Sequence, residues 1–167
     1  MPEKKTLERA RRDKREGKAA TTQAGEFIRE EMEHIREGKH GARSTKQAIA
    51  IGLSKARRAG VPLPPPKKGA VSERTRLSAQ RAYEAGQSGR THVSRTRSRA
   101  ITGALKREGH SAASEPALAQ QAHEVAQRRG ASARSASARK AVKTKGAAGR
   151  SAAARKAART RAQHLAH

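Results

Sequence analysis

The 167-residue sequence predicts a mainly α protein: a small αα-hairpin, further short helices, and extensive flexible or disordered segments. Three observations carry that expectation. Leu, Ile, Val and Phe together number only 18, below the roughly one-fifth share that ordinary globular cores need. Most of the 34% hydrophobic content is alanine, which favours helix but buries little area. Serines and glycines recur at intervals that suit helix starts and stops.

Residues 1–21 read as a charged N-terminal arm. Glu8–Arg12 and Arg12–Glu16 stand at i,i+4, and each such pair adds only ~0.2–0.5 kcal/mol to an isolated helix. The expectation there is a solvated helix or disordered chain.

Residues 22–62 form the candidate packed unit, the αα-hairpin. Ala24, Phe27, Ile28, Met32 and Ile35 make one helical stripe in the chain's only acidic segment, with Gly38 as its stop. A second helix over 45–59 opens on Ser44-Thr-Lys-Gln47, a capping-box form, and Ile49, Ile51 and Leu53 supply its apolar content. Gly60-Val61-Pro62 reads as its end, with Val61 folding back on the last turn. An acidic helix facing Lys46, Lys55, Arg57 and Arg58 attracts as well as buries. The hairpin is small for an independent domain, so a homodimer or a protein partner is expected to add burial.

Residues 63–70 read as a stiff Pro/Lys linker containing Lys67 and Lys68. Residues 71–130 hold three helix candidates, Ser72–Gly86, Ser94–Gly109 and Ser114–Gly130, each opened by serine and closed by glycine. Their apolar stripes are thin: Leu77 with Tyr83, Ile101 with Leu105, and Leu118 with Val125.

Residues 131–167 carry the basic tail. Gly130–Lys145 (GASARSASARKAVKTK) and Gly146–Arg161 (GAAGRSAAARKAARTR) are a tandem repeat with ten of 16 positions identical and every cation kept. The matched cations are Arg134/Arg150, Arg139/Arg155, Lys140/Lys156, Lys143/Arg159 and Lys145/Arg161, and no acid interrupts them. Lys/Arg exchange keeps charge but not fork geometry, which suits phosphate neutralisation better than base reading. Helical breaks are expected at Gly146 and Gly149.

With 39 Lys+Arg against 14 Asp+Glu, a net charge of +25 and a pI of about 11.8, the whole chain has the electrostatic footprint of a nucleic-acid binder. Arg57, Arg58, Lys67, Lys68, Arg95, Arg97 and Arg99 are expected to assist the ten tail cations. One Phe and one Tyr give no stacking platform for single strands, so duplex DNA bound through its backbone is favoured. A helix-turn-helix with 45–59 reading bases through Lys46 and Gln47 is disfavoured by the six-residue Gly38–Arg43 loop. Interfacial membrane binding lacks its Trp/Phe/Leu face.

No enzyme, cofactor or metal site is expected. The one Asp, Asp13, lies in the charged arm, and the histidines at 34, 40, 92, 110, 123, 164 and 167 are scattered without HExxH. His164 and His167 at i,i+3 are read as exposed histidines without a role. No P-loop or GxGxxG occurs. The chain has no cysteine, no long apolar run and no signal-type N-terminus, so a reducing cytoplasm, and the nucleoid within it, is the expected setting.

EFIREEMEHIREGKHGARSTKQAIAIGLSKARRAGVPLPP, and within it KQAIAIGLSKAR from Lys46 to Arg57, resembles a box in small basic bacterial proteins of unknown function. That resemblance implies a bacterial origin and transfers no catalytic residues. The tail is similar in composition to the Ala/Lys/Arg-rich arms of bacterial histone H1-like proteins, with more Arg and Ser. Together these readings lead to non-sequence-specific DNA binding. RNA or ribosome association, and a protein-interaction role for acidic helix 22–37 with a solubilising tail, are the alternatives.

Overall fold

A computed structural model describes residues 2–89 and 94–165, with side chains through Gln163. His92 and His167 therefore lie outside the described residues. Among these, the chain is all helical: α1 (Lys4–Arg15), α2 (Ala20–Arg36), α3 (Thr45–Arg58), α4 (Glu73–Gln87), α5 (Arg95–Lys106), a 3-10 turn (Ser111–Ala113), α6 (Glu115–Arg128) and α7 (Gly130–Leu165). It divides into two compact units, Met1–Gln121 and Ala122–His167, with the boundary inside α6.

Helix α2 organises the first unit, because it carries the large apolar side chains. Phe27 and Ile35 are fully buried and Met32 nearly so. Phe27 joins Ala10, Ala24, Ala56, Val61 and Leu63 at one end, with Leu53 partly buried beside them. Met32 and Ile35 join Ala42, Ala48, Ala112 and Ala113 at the other, flanked by Ile28 and Ile49. The predicted stripe on α2 is therefore the core.

On α3 the buried line is small rather than large: Thr45, Ala48, Gly52 and Ala56 face inward, while Ile49, Ile51 and Leu53 are only half-buried. A Cβ on Gly52 would stand 2.8 Å from the Ile28 Cα, so the two helices meet nearly backbone to backbone. Alanine and glycine make this core by letting helices approach, which replaces buried area with close packing.

The termini of α2 and α3 follow the sequence. Gly38 has φ 73° and Gly60 φ 85°, left-handed conformations that close each helix without a Cβ clash. The Val61 N–H donates to the Ala56 carbonyl at 3.1 Å, and Val61 is buried against the turn it ends. Ser44 Oγ accepts from the Gln47 N–H at 3.2 Å, while Gln47 Oε1 accepts from the Arg43 N–H at 2.8 Å. Ser72, Ser94 and Ser114 cap the next helices by accepting from the N–H groups of Thr75, Arg97 and Ala117.

Four placements differ from the sequence reading. Helix α1 is docked on α2: Thr6, Ala10 and Asp13 are buried, Arg9 pairs with Glu26 at 3.6 Å, and the Glu3 N–H donates to Glu30 at 3.0 Å. Charge on α1 hid a narrow small-residue face. The Pro/Lys linker is anchored too. Leu63 is buried, and the Arg57 guanidinium donates from Nε to the Leu63 carbonyl at 3.1 Å and from Nη2 to the Pro64 carbonyl at 3.2 Å.

The third difference is at Gly86, which does not end α4. The helix runs to Gln87, Gly89 takes the left-handed turn (φ 67°), and Gly86 packs where a Cβ would strike the Arg57 carbonyl. Finally, α5 buries no residue, and Ile101 is 54% exposed. Its last turn and the segment after it dock by backbone instead: the Gly41 and Ala42 N–H groups donate to the carbonyls of Leu105 (2.9 Å) and Gly109 (3.0 Å).

Candidate functional site

The duplicated tail is a structural repeat as well as a sequence repeat. Gly130 (φ 73°) and Gly146 (φ 64°, ψ −179°) occupy equivalent positions, and each opens a run of helix. The break expected at Gly146 is present, whereas Gly149 continues the helix. Side-chain detail repeats as well. Thr144 donates to the Lys140 carbonyl at 2.9 Å, and its counterpart Thr160 donates to the Lys156 carbonyl at 3.1 Å. The first cations differ: Arg134 donates to the Ala126 carbonyl at 3.0 Å, eight residues back in α6, whereas Arg150 donates to the Gly146 carbonyl at 3.2 Å within its own repeat.

The remaining tail cations stand out in solvent. Every residue from Gly130 to Gln163 is exposed, including Arg139, Lys140, Lys143, Lys145, Arg155, Lys156, Arg159 and Arg161. At 3.6 residues per turn, Arg139 and Lys143 share a face with Lys140 beside it, whereas Arg134 and Lys145, about three turns apart, lie on the other side. The second repeat places Arg155, Arg159 and Lys156 the same way. Each repeat thus presents one three-cation side, narrower than a count of all ten suggests, and no apolar face competes with it.

Of the assisting cations, Arg58, Lys67, Lys68, Arg95, Arg97 and Arg99 are exposed. Arg95 and Arg97 sit in the first turn of α5, where the helix dipole disfavours cations and favours an anion. A shallow groove on α5 is lined by Ser98, Arg99, Thr102, Gly103 and Lys106. Arg57 is the correction. It is only 6% exposed, its guanidinium is occupied by the Leu63 and Pro64 carbonyls, and burial pushes its pKa down. It holds the fold and is withdrawn from phosphate.

Sequence reasoning missed a second constellation, on the acidic face of α2. Glu30 is 2% exposed and Glu31 fully buried, and Lys55 of α3 reaches both, at 3.2 Å and 2.6 Å. Burial alone would raise the Glu30 pKa, but the Thr6 hydroxyl, the Glu3 N–H and Lys55 outweigh it and hold the carboxyl below its ordinary range. Around Glu31 stand His40, with Nε2 at 3.3 Å from Oε1, and His34, whose own Nε2 lies 2.8 Å from Glu3. Glu3 is drawn below its usual value by His34 and then Lys39. Two histidines read as scattered are thus neighbours, their rings edge-to-face at 6.0 Å. The available signal was Glu31-Met-Glu-His34, an i,i+3 pair on one helix face.

Most acids of α2 are consequently spent inside the molecule. Glu26 pairs with Arg9 and Arg29, Glu30 and Glu31 with Lys55, and Glu37, just past the end of the helix, with Lys39. Among the described residues, no helix is long and apolar enough to cross a membrane. No curated protein and no solved structure matches the chain. Residues 13–68, which contain α2, the buried cluster, α3 and the anchored proline segment, match the model of a family of unknown function (DUF6496).

Proposed function

We propose that this chain binds duplex nucleic acid, DNA in preference to RNA, by neutralising backbone phosphates with α7 and without reading base sequence. The observation that carries this reading is the repeated helix: two copies of one cation set, fully exposed, with no acid from Ala131 onward. Preservation of charge but not of Lys/Arg identity between the copies favours contacts to phosphate over contacts to base edges. Phe27 is buried, which removes the only phenylalanine from any stacking role on single strands. Gln47 spends its side-chain oxygen on the Arg43 N–H, which weighs against α3 as a recognition helix.

In this reading the first unit is a folded body, and exposed Arg58, Lys67, Lys68, Arg95, Arg97 and Arg99 add diffuse attraction. A nucleoid-associated role in a bacterial cytoplasm is the setting that fits. The protein-interaction alternative is less well supported, because most carboxylates of α2 already have partners within the chain. Replacing Phe27 and Ile28 by Asp would moreover break the core rather than isolate a surface.

The experiment is a duplex-DNA titration of the full chain beside a variant with Arg139, Lys140, Lys143, Arg155, Lys156 and Arg159 all changed to Gln. Affinity should fall by more than tenfold in the variant. Equal affinity would remove α7 from the account. A structured RNA of equal length, competed at the same salt, separates the DNA reading from the RNA or ribosome reading.

A further inference from the structure

We propose that Glu31, His34 and His40 form a binding site for a divalent transition-metal ion of the zinc class, independent of the tail and its ligand. One potential ligand atom from each of the three residues lies within 4.8 Å of the other two. The helix places Glu31 and His34 one turn apart on a single face. The left-handed Gly38 then turns the chain so that His40 returns over the same face, fixed by the Lys39 N–H donating to the His34 carbonyl at 3.0 Å.

Two ligands bound to one tetrahedral ion at bond lengths of about 2.0–2.1 Å stand roughly 3.3 Å apart. His40 Nε2 and Glu31 Oε1 are already at 3.3 Å. His34 completes the set within the same 4.8 Å.

The contacts around Glu31 and His40 give a second reason for a cation at this point. His40 Nδ1 lies 3.1 Å from the Gly41 carbonyl oxygen, which only accepts, so Nδ1 carries the hydrogen. That orientation leaves Nε2 turned toward the Glu31 carboxylate, 3.3 Å from Oε1. Glu31 is fully buried; Lys55 pairs with its Oε2 at 2.6 Å, while Oε1, which faces His40, has no hydrogen-bond partner. Lys55 is shared between the two buried carboxyl groups of Glu30 and Glu31, so neither has a basic side chain to itself.

Outer contacts match those that orient metal-bound imidazoles. His40 is held through Nδ1 by a backbone carbonyl, and His34 is held through Nε2 by the Glu3 carboxylate at 2.8 Å. Carboxylate-plus-imidazole donors at this spacing suit zinc and its neighbours rather than calcium or magnesium, which prefer oxygen ligands alone.

The test uses the full chain with Co2+ and Zn2+ as probes. Co2+ titration should give the intense visible bands of a four-coordinate ion at one equivalent, displaced by Zn2+. His40→Gln should lose those bands while keeping the wild-type circular dichroism spectrum. His164→Gln/His167→Gln should retain them. Zn2+ should raise the melting temperature of the wild type but not of His40→Gln. Three results would each overturn the proposal: bands that survive His40→Gln, binding abolished by the terminal pair, or no binding of Co2+ or Zn2+ by the full chain.

Discussion

Replacing Gly52 by alanine isolates the seam on which the first unit depends. The new Cβ would lie 2.8 Å from the Ile28 Cα and 3.0 Å from its N and Cγ1. Backbone atoms cannot rotate away, so α2 and α3 must separate. Overpacking of this kind costs typically ~1–3 kcal/mol, and contact with backbone puts Gly52→Ala at the upper end, ~3 kcal/mol. Helix propensity works in the opposite direction, since alanine in place of a helical glycine gains about 1 kcal/mol. The net loss is therefore ~2 kcal/mol, which for a chain of this size lowers the melting temperature by roughly 4–8 °C.

Gly103 in α5 is the control, because an added Cβ there meets nothing within 4 Å. Gly103→Ala should gain the propensity term alone, ~1 kcal/mol. Urea melts of both variants, followed by circular dichroism, measure the contrast. If Gly52→Ala proves as stabilising as Gly103→Ala, the helices do not meet as described and the small-residue account of the core fails.

Further consequences are open to measurement. Arg57→Ala should cost ~2–3 kcal/mol, because it removes a buried stem and leaves the Leu63 and Pro64 carbonyls without donors; an effect within ~0.5 kcal/mol in a urea melt would show that the proline segment is not anchored. Gly146→Ala should fuse the two tail helices, since alanine is strained at φ 64° but favourable in a right-handed turn. Circular dichroism should show a gain in helicity, and an unchanged spectrum would contradict a break at that residue. Lys18 is raised above its ordinary 10.5 by Asp13 first and Glu16 second. A raised folded-state value means its stabilisation is complete below that pH and lost as pH climbs through the folded value. Urea midpoints should fall at the alkaline end in the wild type, and Lys18→Arg, charged throughout, should blunt that fall; identical alkaline profiles would refute the linkage.

What the sequence made legible was local. Four serines, at 44, 72, 94 and 114, cap helices where their spacing placed them, and Gly38 and Gly60 end helices through φ values that glycine supplies cheaply. The tandem repeat reappears as paired left-handed glycines and paired threonine contacts. What stayed hidden depends on contacts distant in sequence. Helix α1 looked solvated because Thr6, Ala10 and Asp13 are not a hydrophobic stripe, yet small groups suffice where two backbones approach. On α3, attention to Ile49, Ile51 and Leu53 concealed the line of Thr45, Ala48, Gly52 and Ala56 that faces α2. Arg57 reads as one more surface cation until the proline segment folds over it. The Glu31, His34 and His40 cluster needed the Gly38 turn to bring a loop histidine back over the helix.

The most direct test of the central claim is the salt dependence of duplex-DNA affinity, for the full chain and for residues 1–130, which retain both core clusters. If the six cations on the common sides of the two repeats each neutralise a phosphate, log K against log salt should have a slope of about −5; engagement of all ten would steepen it to about −9. The account predicts a slope of −5 or steeper that flattens by at least that amount when α7 is absent. Equal slopes for the two lengths would contradict it and place nucleic-acid affinity, if any, on the folded body.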